Sequence, residues 1–330
     1  MFPVPWNNIF RVSSAGETPD RGLRRGRGYL PGGSAARIDT QILGGAAEIE
    51  FSDGEDPTVP VINMGVSGED TNAILGRNGA VPYVIDEKFM MPGDSVPVDI
   101  IIKSASGNPA FPKNDERAGM ETVNIGGVEG TLNLSWETGS SKIPSYSFTR
   151  AEEGQEKLIP AGTRVITSGS EKYRNYLPVI FMGINGGYDS PRDLIDQHNA
   201  IIRHQIGNPR DGTHVRFIVV GTHVFKDLEE ARRMEDYMQE AYGEQYINLR
   251  KCMSEQAMTD VGLTPTEEDL ARMEAGKAPA SLMADKIHLN AKCYELLGNL
   301  VFDRMDNLHY FDEVNQAIDR ELASEETTEN

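Results

Sequence analysis

Four short apolar runs constrain the fold of this chain more than any other feature of its sequence. Each run is bounded by Gly or polar residues, and helical patterns follow most of them. Short continuous apolar runs of this kind are typical of strands that are buried on both faces of a parallel sheet. The runs are VPVINMGV (59–66), YLPVIFMGIN (176–185), HVRFIVVGTH (214–223) and QYINLRK (245–251).

Helical patterns alternate with these runs. SAARIDTQIL (34–43) precedes the first run, and SPRDLIDQHNAIIRHQI (190–206) begins with Ser190 as a helix N-cap and Pro191 in the first helical position. DLEEARRMEDYMQEAYG (227–243) ends on a glycine that suits a C-cap. The alternation predicts an α/β fold, a three-layer α/β/α doubly wound parallel sheet of the flavodoxin-like type.

The pattern of apolar and polar residues changes between 86 and 172. Alternating apolar and polar residues there are separated by Gly, Pro and Asn, which is typical of antiparallel strands. We therefore predict a β-rich subdomain inserted into the α/β core. The predicted organisation is an irregular leader (1–33), an α/β core (34–85 and 173–305), a β-rich insertion (86–172) and a C-terminal helix with an acidic tail (306–330).

The charge of the chain excludes some classes of partner. Its 330 residues carry 32 Lys and Arg against 51 Asp and Glu, a net charge of −19. Phosphate backbones and anionic membranes would be repelled, so we expect neither a nucleic-acid nor a membrane partner. The basic stretch RGLRRGRG is either an RNA-binding arm or part of an irregular leader. With no signal-peptide pattern and no apolar run of about 18 residues, we expect a cytoplasmic or virion-associated protein.

The stretch DKIHLN places Asp285 three residues before His288, in a loop that leads into a helix. At this spacing the carboxylate can hydrogen bond with the imidazole and fix its tautomer, leaving the other ring nitrogen to accept a proton. Helix-capping aspartates and buried histidines give the same pattern.

Cys252 and Cys293 lack the spaced partners of a metal site, and we expect no metal.

Two glycine-containing turns follow apolar runs. In VINMGVSGEDT, Gly68 opens a turn whose backbone N–H groups can face an oxyanion. In FMGINGGYDSP, the Asn185 amide can donate into the crevice at the carboxyl end of a strand. An ordinary strand-to-helix turn and an asparagine that stabilises its own loop are the alternative explanations.

Taken in this order, the three motifs resemble the SGNH (GDSL-type) hydrolase superfamily, including bacterial and phage members with a β-rich insertion. The resemblance covers roughly 34–305. It implies that His288 is the catalytic base, that Asp285 orients it, and that Gly68 and Asn185 donate to the oxyanion. It also implies an acyl ester substrate, such as an acetyl ester on a carbohydrate, and no cofactor.

The nucleophilic serine of the family is missing from its usual motif. Ser14, or Ser13 beside it, follows the apolar run Ile9 to Val12 and is the best candidate by position. The only GDS triplet contains Ser95, and a turn before a strand explains it. A rearranged start of the chain that displaced the true first strand is a further alternative.

Three functional hypotheses follow. The first is an ester hydrolase acting on a small-molecule or glycan ester. The second is a non-catalytic SGNH-like domain that binds glycan or serves as a structural part. The third is an interaction protein that uses the apolar face of a helix at 310–322, although packing of that face on the core is a simpler explanation.

Overall fold

The structure is a computed structural model that describes residues 9–13, 37–38, 47–50, 59–66, 68–104, 122–135, 145–174, 176–206 and 215–312. The strands are β1 Ile9–Ser13, β2 Arg37–Ile38, β3 Ala47–Glu50, β4 Val59–Asn63, β5 Tyr83–Ile85, β6 Phe89–Met91, β7 Val98–Ile100, β8 Ile102–Ser104, β9 Thr122–Ile125, β10 Val128–Ser135, β11 Ser145–Arg150, β12 Lys157–Ile159, β13 Arg164–Thr167, β14 Tyr176–Ile180, β15 Ile218–Val220 and β16 Tyr246–Ile247. The α-helices are α1 Thr71–Asn78, α2 Ser168–Lys172, α3 Pro191–Ile206, α4 Leu228–Tyr242, α5 Leu249–Glu255, α6 Ala257–Asp260, α7 Glu267–Glu274 and α8 Ala291–Asn307. Two short 3₁₀ helices span Gly243–Gln245 and Ala280–Leu282.

One sheet is mixed, with the strand order β16-β15-β14-β1-β4-β3-β2. Strands β14, β15 and β16 pair in parallel, whereas β1 runs antiparallel to both of its neighbours, β14 and β4. The pairs β3–β4 and β2–β3 are also antiparallel. Because β1 is antiparallel to both β4 and β14, those two strands point the same way, and their carboxyl ends lie at one edge of the sheet.

Alternate residues of β14 and its extension pack into two different hydrophobic clusters. Leu177, Val179 and Phe181 join α5, α6 and α8, whereas Ile180 and Met182 join α1, α3 and α4. This alternation follows from the two-residue period of a strand. A strand buried on both faces needs a continuous apolar sequence, which explains why the run at 176–185 carries so few polar residues.

The second large sheet is entirely antiparallel, with the order β7-β11-β10-β9-β13-β5-β8. Its two outermost strands, β7 and β8, are separated in sequence by Ile101 alone. The sheet must therefore curl until its edges approach each other, and it forms a nearly closed barrel. Its interior is a separate hydrophobic cluster that includes Tyr83, Ile125 and Phe148.

The prediction of a three-layer α/β/α doubly wound parallel sheet of the flavodoxin-like type is wrong. The structure contains a large antiparallel sheet, and the sheet that holds all four apolar runs is mixed. An apolar run reports burial on both faces but carries no information on strand direction, and β1 pairs between two of the runs in the opposite direction. The predicted helix at 34–43 is also wrong where the structure describes it, because Arg37–Ile38 is a strand.

Strands of the antiparallel sheet fall between Tyr83 and Thr167, a span that overlaps the predicted insertion at 86–172. The insertion itself stays a prediction, as do the leader at 1–33 and the other domain limits. In the part of the chain that the structure describes, each helix is too short or too polar to cross a bilayer.

Candidate active site

The Asp285–His288 pair lies in a loop closed by hydrogen bonds at its base. Asn290 caps α8 by accepting from the Cys293 N–H at 3.1 Å, and its side-chain amide donates to the Ser281 carbonyl at 2.8 Å. The Asn290 N–H also donates to the Leu282 carbonyl at 3.0 Å. These contacts join the two ends of the loop and fix its position against the start of α8.

Asp285 organises the tip of this loop. One carboxylate oxygen accepts from the backbone N–H groups of Ile287, at 2.8 Å, and His288, at 2.7 Å. The other oxygen accepts from Nδ1 of the His288 ring. The backbone N–H groups of His288 and Ile287, followed by the His288 side chain, lower the pKa of Asp285 to about 2, so this group is a carboxylate at neutral pH.

The tautomer of His288 follows from this contact. A carboxylate can only accept hydrogen bonds, so Nδ1 must carry a proton, and in the neutral ring Nε2 is the proton acceptor. The His288 side chain is 22% exposed, which gives the ring access to a reactant from solvent. The predicted base and its orienting carboxylate are therefore in direct contact.

A second histidine, His223, supports the same loop from the mixed sheet. It lies three residues after β15, and its Nε2 is 2.9 Å from the carbonyl oxygen of Ile287. Burial lowers the pKa of His223 to about 4, so the ring is neutral, and Nε2 must be the protonated nitrogen that donates to this carbonyl. The loop is thus attached to the carboxyl edge of the parallel strands.

Asn185 and Gly68 lie together at the same edge. The Asn185 side-chain amide donates to the backbone carbonyl of Glu69 at 3.0 Å, next to Gly68 in the chain. An amide nitrogen carries two N–H groups, so one remains to donate to an oxyanion. Gly68 has φ 73, a left-handed conformation that glycine adopts without the strain of a side chain.

The loop that carries Asn185 is held on the first turn of α1. The Gly187 carbonyl accepts from the Thr71 hydroxyl at 2.7 Å, the Asn72 amide at 3.0 Å and the Gln197 amide at 2.8 Å. The Thr71 N–H also donates to the Gly186 carbonyl at 3.1 Å. Four donors on two adjacent carbonyls fix the backbone from which Asn185 projects.

The described serine candidate lies elsewhere. In β1, Ser13 is the register partner of Tyr176, at the amino end of β14, whereas Asn185 follows the carboxyl end of that strand. At about 3.3 Å per residue, the strand from Tyr176 to Ile180 alone spans about 13 Å. Ser13 is therefore at the opposite edge of the sheet from Asn185. Ser14 lies outside the described residues.

Sequence reasoning missed two further contributors to this edge. His223 is the last residue of the apolar run at 214–223, and a histidine at the end of a predicted strand was the signal for it. Glu69, only 2% exposed, pairs with the buried Arg77 through its carboxylate while its carbonyl receives Asn185. Glutamate and arginine eight residues apart give no recognisable sequence signal.

The side chains at this edge include a histidine that could transfer a proton and an amide that could donate to an oxyanion. Among the described residues, no three His, Cys, Asp or Glu side chains are grouped in a way that could hold a metal ion. Comparisons of the chain with protein-family models, with curated proteins and with solved structures returned no match.

Proposed function

We propose that this protein hydrolyses an acyl ester at the carboxyl edge of its mixed sheet. His288 acts as the general base, Asp285 orients its ring, and the Asn185 amide with the backbone at Gly68 stabilises the oxyanion. The observation that carries the proposal is the set of three hydrogen bonds that the Asp285 carboxylate accepts, because the one from His288 fixes the ring proton on Nδ1 and makes Nε2 the proton acceptor.

The proposed reaction follows from these positions. Nε2 of His288 takes the proton of an attacking hydroxyl while that oxygen adds to the ester carbonyl. The negative charge on the former carbonyl oxygen is then stabilised by the second N–H of Asn185. As the intermediate collapses, the imidazolium returns its proton to the departing alkoxide. The attacking hydroxyl belongs either to water or to a residue outside the described ranges. Ser14 directly follows Ser13, which lies at the opposite edge of the sheet, and this favours water. If a serine attacks, it is left acylated, and a water molecule activated by the same base then releases the acid.

A histidine substitution with an internal control tests the proposal. His288→Gln should reduce hydrolysis of 4-nitrophenyl acetate by about 10²- to 10⁴-fold, the usual contribution of a general base. His309→Gln is the matched control, because His309 also lies three residues from an aspartate, Asp312, but its side chain is 78% exposed. Equal rates for the two variants would contradict the proposal.

The second candidate function is a non-catalytic domain that binds glycan. The position of Ser13 favours it, since this serine, the described one of the pair at 13–14, lies at the edge opposite Asn185. A fluorophosphonate probe separates the candidates, because it reacts covalently with an activated serine. Labelling that His288→Gln abolishes supports a serine esterase, hydrolysis without labelling supports attack by water, and glycan binding with neither supports the binding domain.

A further inference from the structure

A cavity of about 230 Å³ adjoins the loop that carries His288. It is lined by Met283 and Lys286 of that loop, and by His223, which donates to the Ile287 carbonyl. Pockets for drug-sized ligands usually measure roughly 300 to 1,000 Å³. The cavity is therefore suited to a group smaller than a drug-sized ligand, next to the candidate active site.

The lining of this cavity is cationic, although the whole chain has a net charge of −19. Four of the lining residues are basic, Arg250, Arg272, Lys277 and Lys286, and one, Asp227, is acidic. The Asp227 carboxylate is occupied as the N-cap of α4, where it accepts from the Glu230 N–H at 2.9 Å. The cavity is thus a cationic site on a chain whose net charge is strongly negative.

The two arginines are held in place by backbone carbonyls. Arg250 pairs with the buried Glu235 and donates through Nη1 to the Gly276 carbonyl at 2.9 Å. Arg272 donates through Nε to the Ala278 carbonyl at 2.7 Å. Within the described residues this is the one hydrogen bond of the Arg272 side chain, so its two terminal nitrogens keep their four N–H groups for a ligand.

Neither lysine of the lining has a carboxylate within ion-pair distance among the residues that the structure describes. Both Lys277 and Lys286 are exposed at the cavity. The ammonium groups of Lys277 and Lys286 and the remaining N–H groups of Arg272 are complementary to an oxyanion group, since guanidinium and ammonium groups both bind carboxylate and phosphate.

From this arrangement we infer that the cavity binds an oxyanion substituent, a carboxylate or a phosphate, of the molecule that reaches His288. Together with the proposed function, on which this step rests, it makes the substrate an anionic ester. A neutral ester would reach the same base and oxyanion donors but would offer no anionic partner to Arg272, Lys277 and Lys286.

The preference for an anionic over a neutral ester can be measured with two substrates. The ratio of kcat/KM for the anionic 4-nitrophenyl hydrogen succinate to that for neutral 4-nitrophenyl acetate should exceed one and fall as salt is added. Lys277→Met should lower the ratio by up to about fivefold, as expected for one exposed ion pair, and Lys277→Glu by about tenfold or more. Lys226→Met is the control, because Lys226 is an exposed lysine of the same region outside the cavity lining.

A binding measurement separates this inference from the proposed function. Calorimetric titration of the wild-type protein with succinate and with inorganic phosphate should show which of the two ions binds, and Lys277→Glu should abolish the signal. Binding of either ion without any ester hydrolysis would support the pocket and refute the esterase. Hydrolysis of both esters with a ratio insensitive to Lys277→Glu, and no ion binding, would overturn the pocket and leave the esterase standing.

Discussion

Replacement of Asp269 by asparagine should destabilise the protein by about 4 kcal/mol, although the two side chains have nearly the same shape. Asp269 is fully buried in the first turn of α7. One oxygen accepts from the Ser281 N–H at 2.8 Å, and the other accepts from the Thr266 N–H at 2.9 Å, the Thr266 hydroxyl at 2.8 Å and the Ser281 hydroxyl at 2.7 Å. Burial alone would raise the pKa of Asp269, but the hydrogen bonds from Ser281 and Thr266 lower it overall.

The magnitude follows from these four contacts. An asparagine has one acceptor oxygen, so its NH₂ group must face a donor, and a buried N–H left without an acceptor costs about 1–3 kcal/mol. The three remaining hydrogen bonds change from a charged to a neutral acceptor, at about 1 kcal/mol each. The cheaper desolvation of a neutral amide offsets part of this sum and gives about 4 kcal/mol.

Urea denaturation of the Asp269→Asn protein beside a Glu267→Gln protein measures this quantity. Glu267 lies in the same first turn of α7 but is exposed, so its substitution removes the same helix-terminal charge without a buried network. The control should change the free energy of unfolding by about 0.5 kcal/mol. If the free energy of unfolding of the Asp269→Asn protein lies within about 0.5 kcal/mol of that of the control, the buried hydrogen bonds do not have the predicted effect.

Two further predictions concern buried charge. Glu69→Gln or Arg77→Met alone should each lower the free energy of unfolding by about 3–5 kcal/mol because the partner side chain, 1% exposed or less, stays charged without its ion pair. The double variant should lose less than the sum of the two, and additive losses in urea denaturation would argue against coupling. Burial lowers the pKa of His198 to about 3 from an ordinary value of 6.5, so the unfolded chain binds the extra proton first. The free energy of unfolding should therefore fall as pH drops below 6.5, by up to about 1.4 kcal/mol per unit from this residue, and His198→Phe should remove that part of the slope.

Local signals in the sequence were sufficient to predict where α3 begins and where α4 ends. The Ser190 hydroxyl accepts from the Asp193 N–H at 3.1 Å and α3 begins at Pro191, as predicted. Helix α4 ends before Gly243, also as predicted. Both signals act within one turn of helix, so the residues that determine the outcome are adjacent in the chain and can be identified without knowledge of the tertiary structure.

Strand direction could not be obtained in this way. The apolar run Ile9 to Val12 lies in β1, which spans Ile9–Ser13, with Arg11 paired to both Pro178 and Ile62. Its direction depends on partners about 50 and 170 residues away, which no local pattern encodes. The resemblance to the SGNH superfamily would have required the opposite direction, with the nucleophile at the carboxyl edge.

In the candidate site, too, contacts between residues close in sequence were predictable and contacts between distant residues were not. The Asp285–His288 contact was predictable because three residues separate the partners. The contact between the Asn185 amide and the Glu69 carbonyl joins positions 116 residues apart, and the resemblance gave the residue but not its partner. The cationic cavity was not predicted at all, since its basic residues come from separate segments between 250 and 286 and each is unremarkable in its own surroundings.

The attachment of the antiparallel sheet has a consequence for how this protein can change over evolutionary time. The chain enters the sheet through β5 and leaves it through β13, and these two strands are hydrogen-bonded neighbours, with Val165 opposite Tyr83. Neighbouring strands are about 4.8 Å apart, close to the distance between successive Cα atoms. A deletion that joined the two strands' flanks, or an insertion that put this module into an ancestor without it, would leave the path of the remaining backbone nearly unaltered.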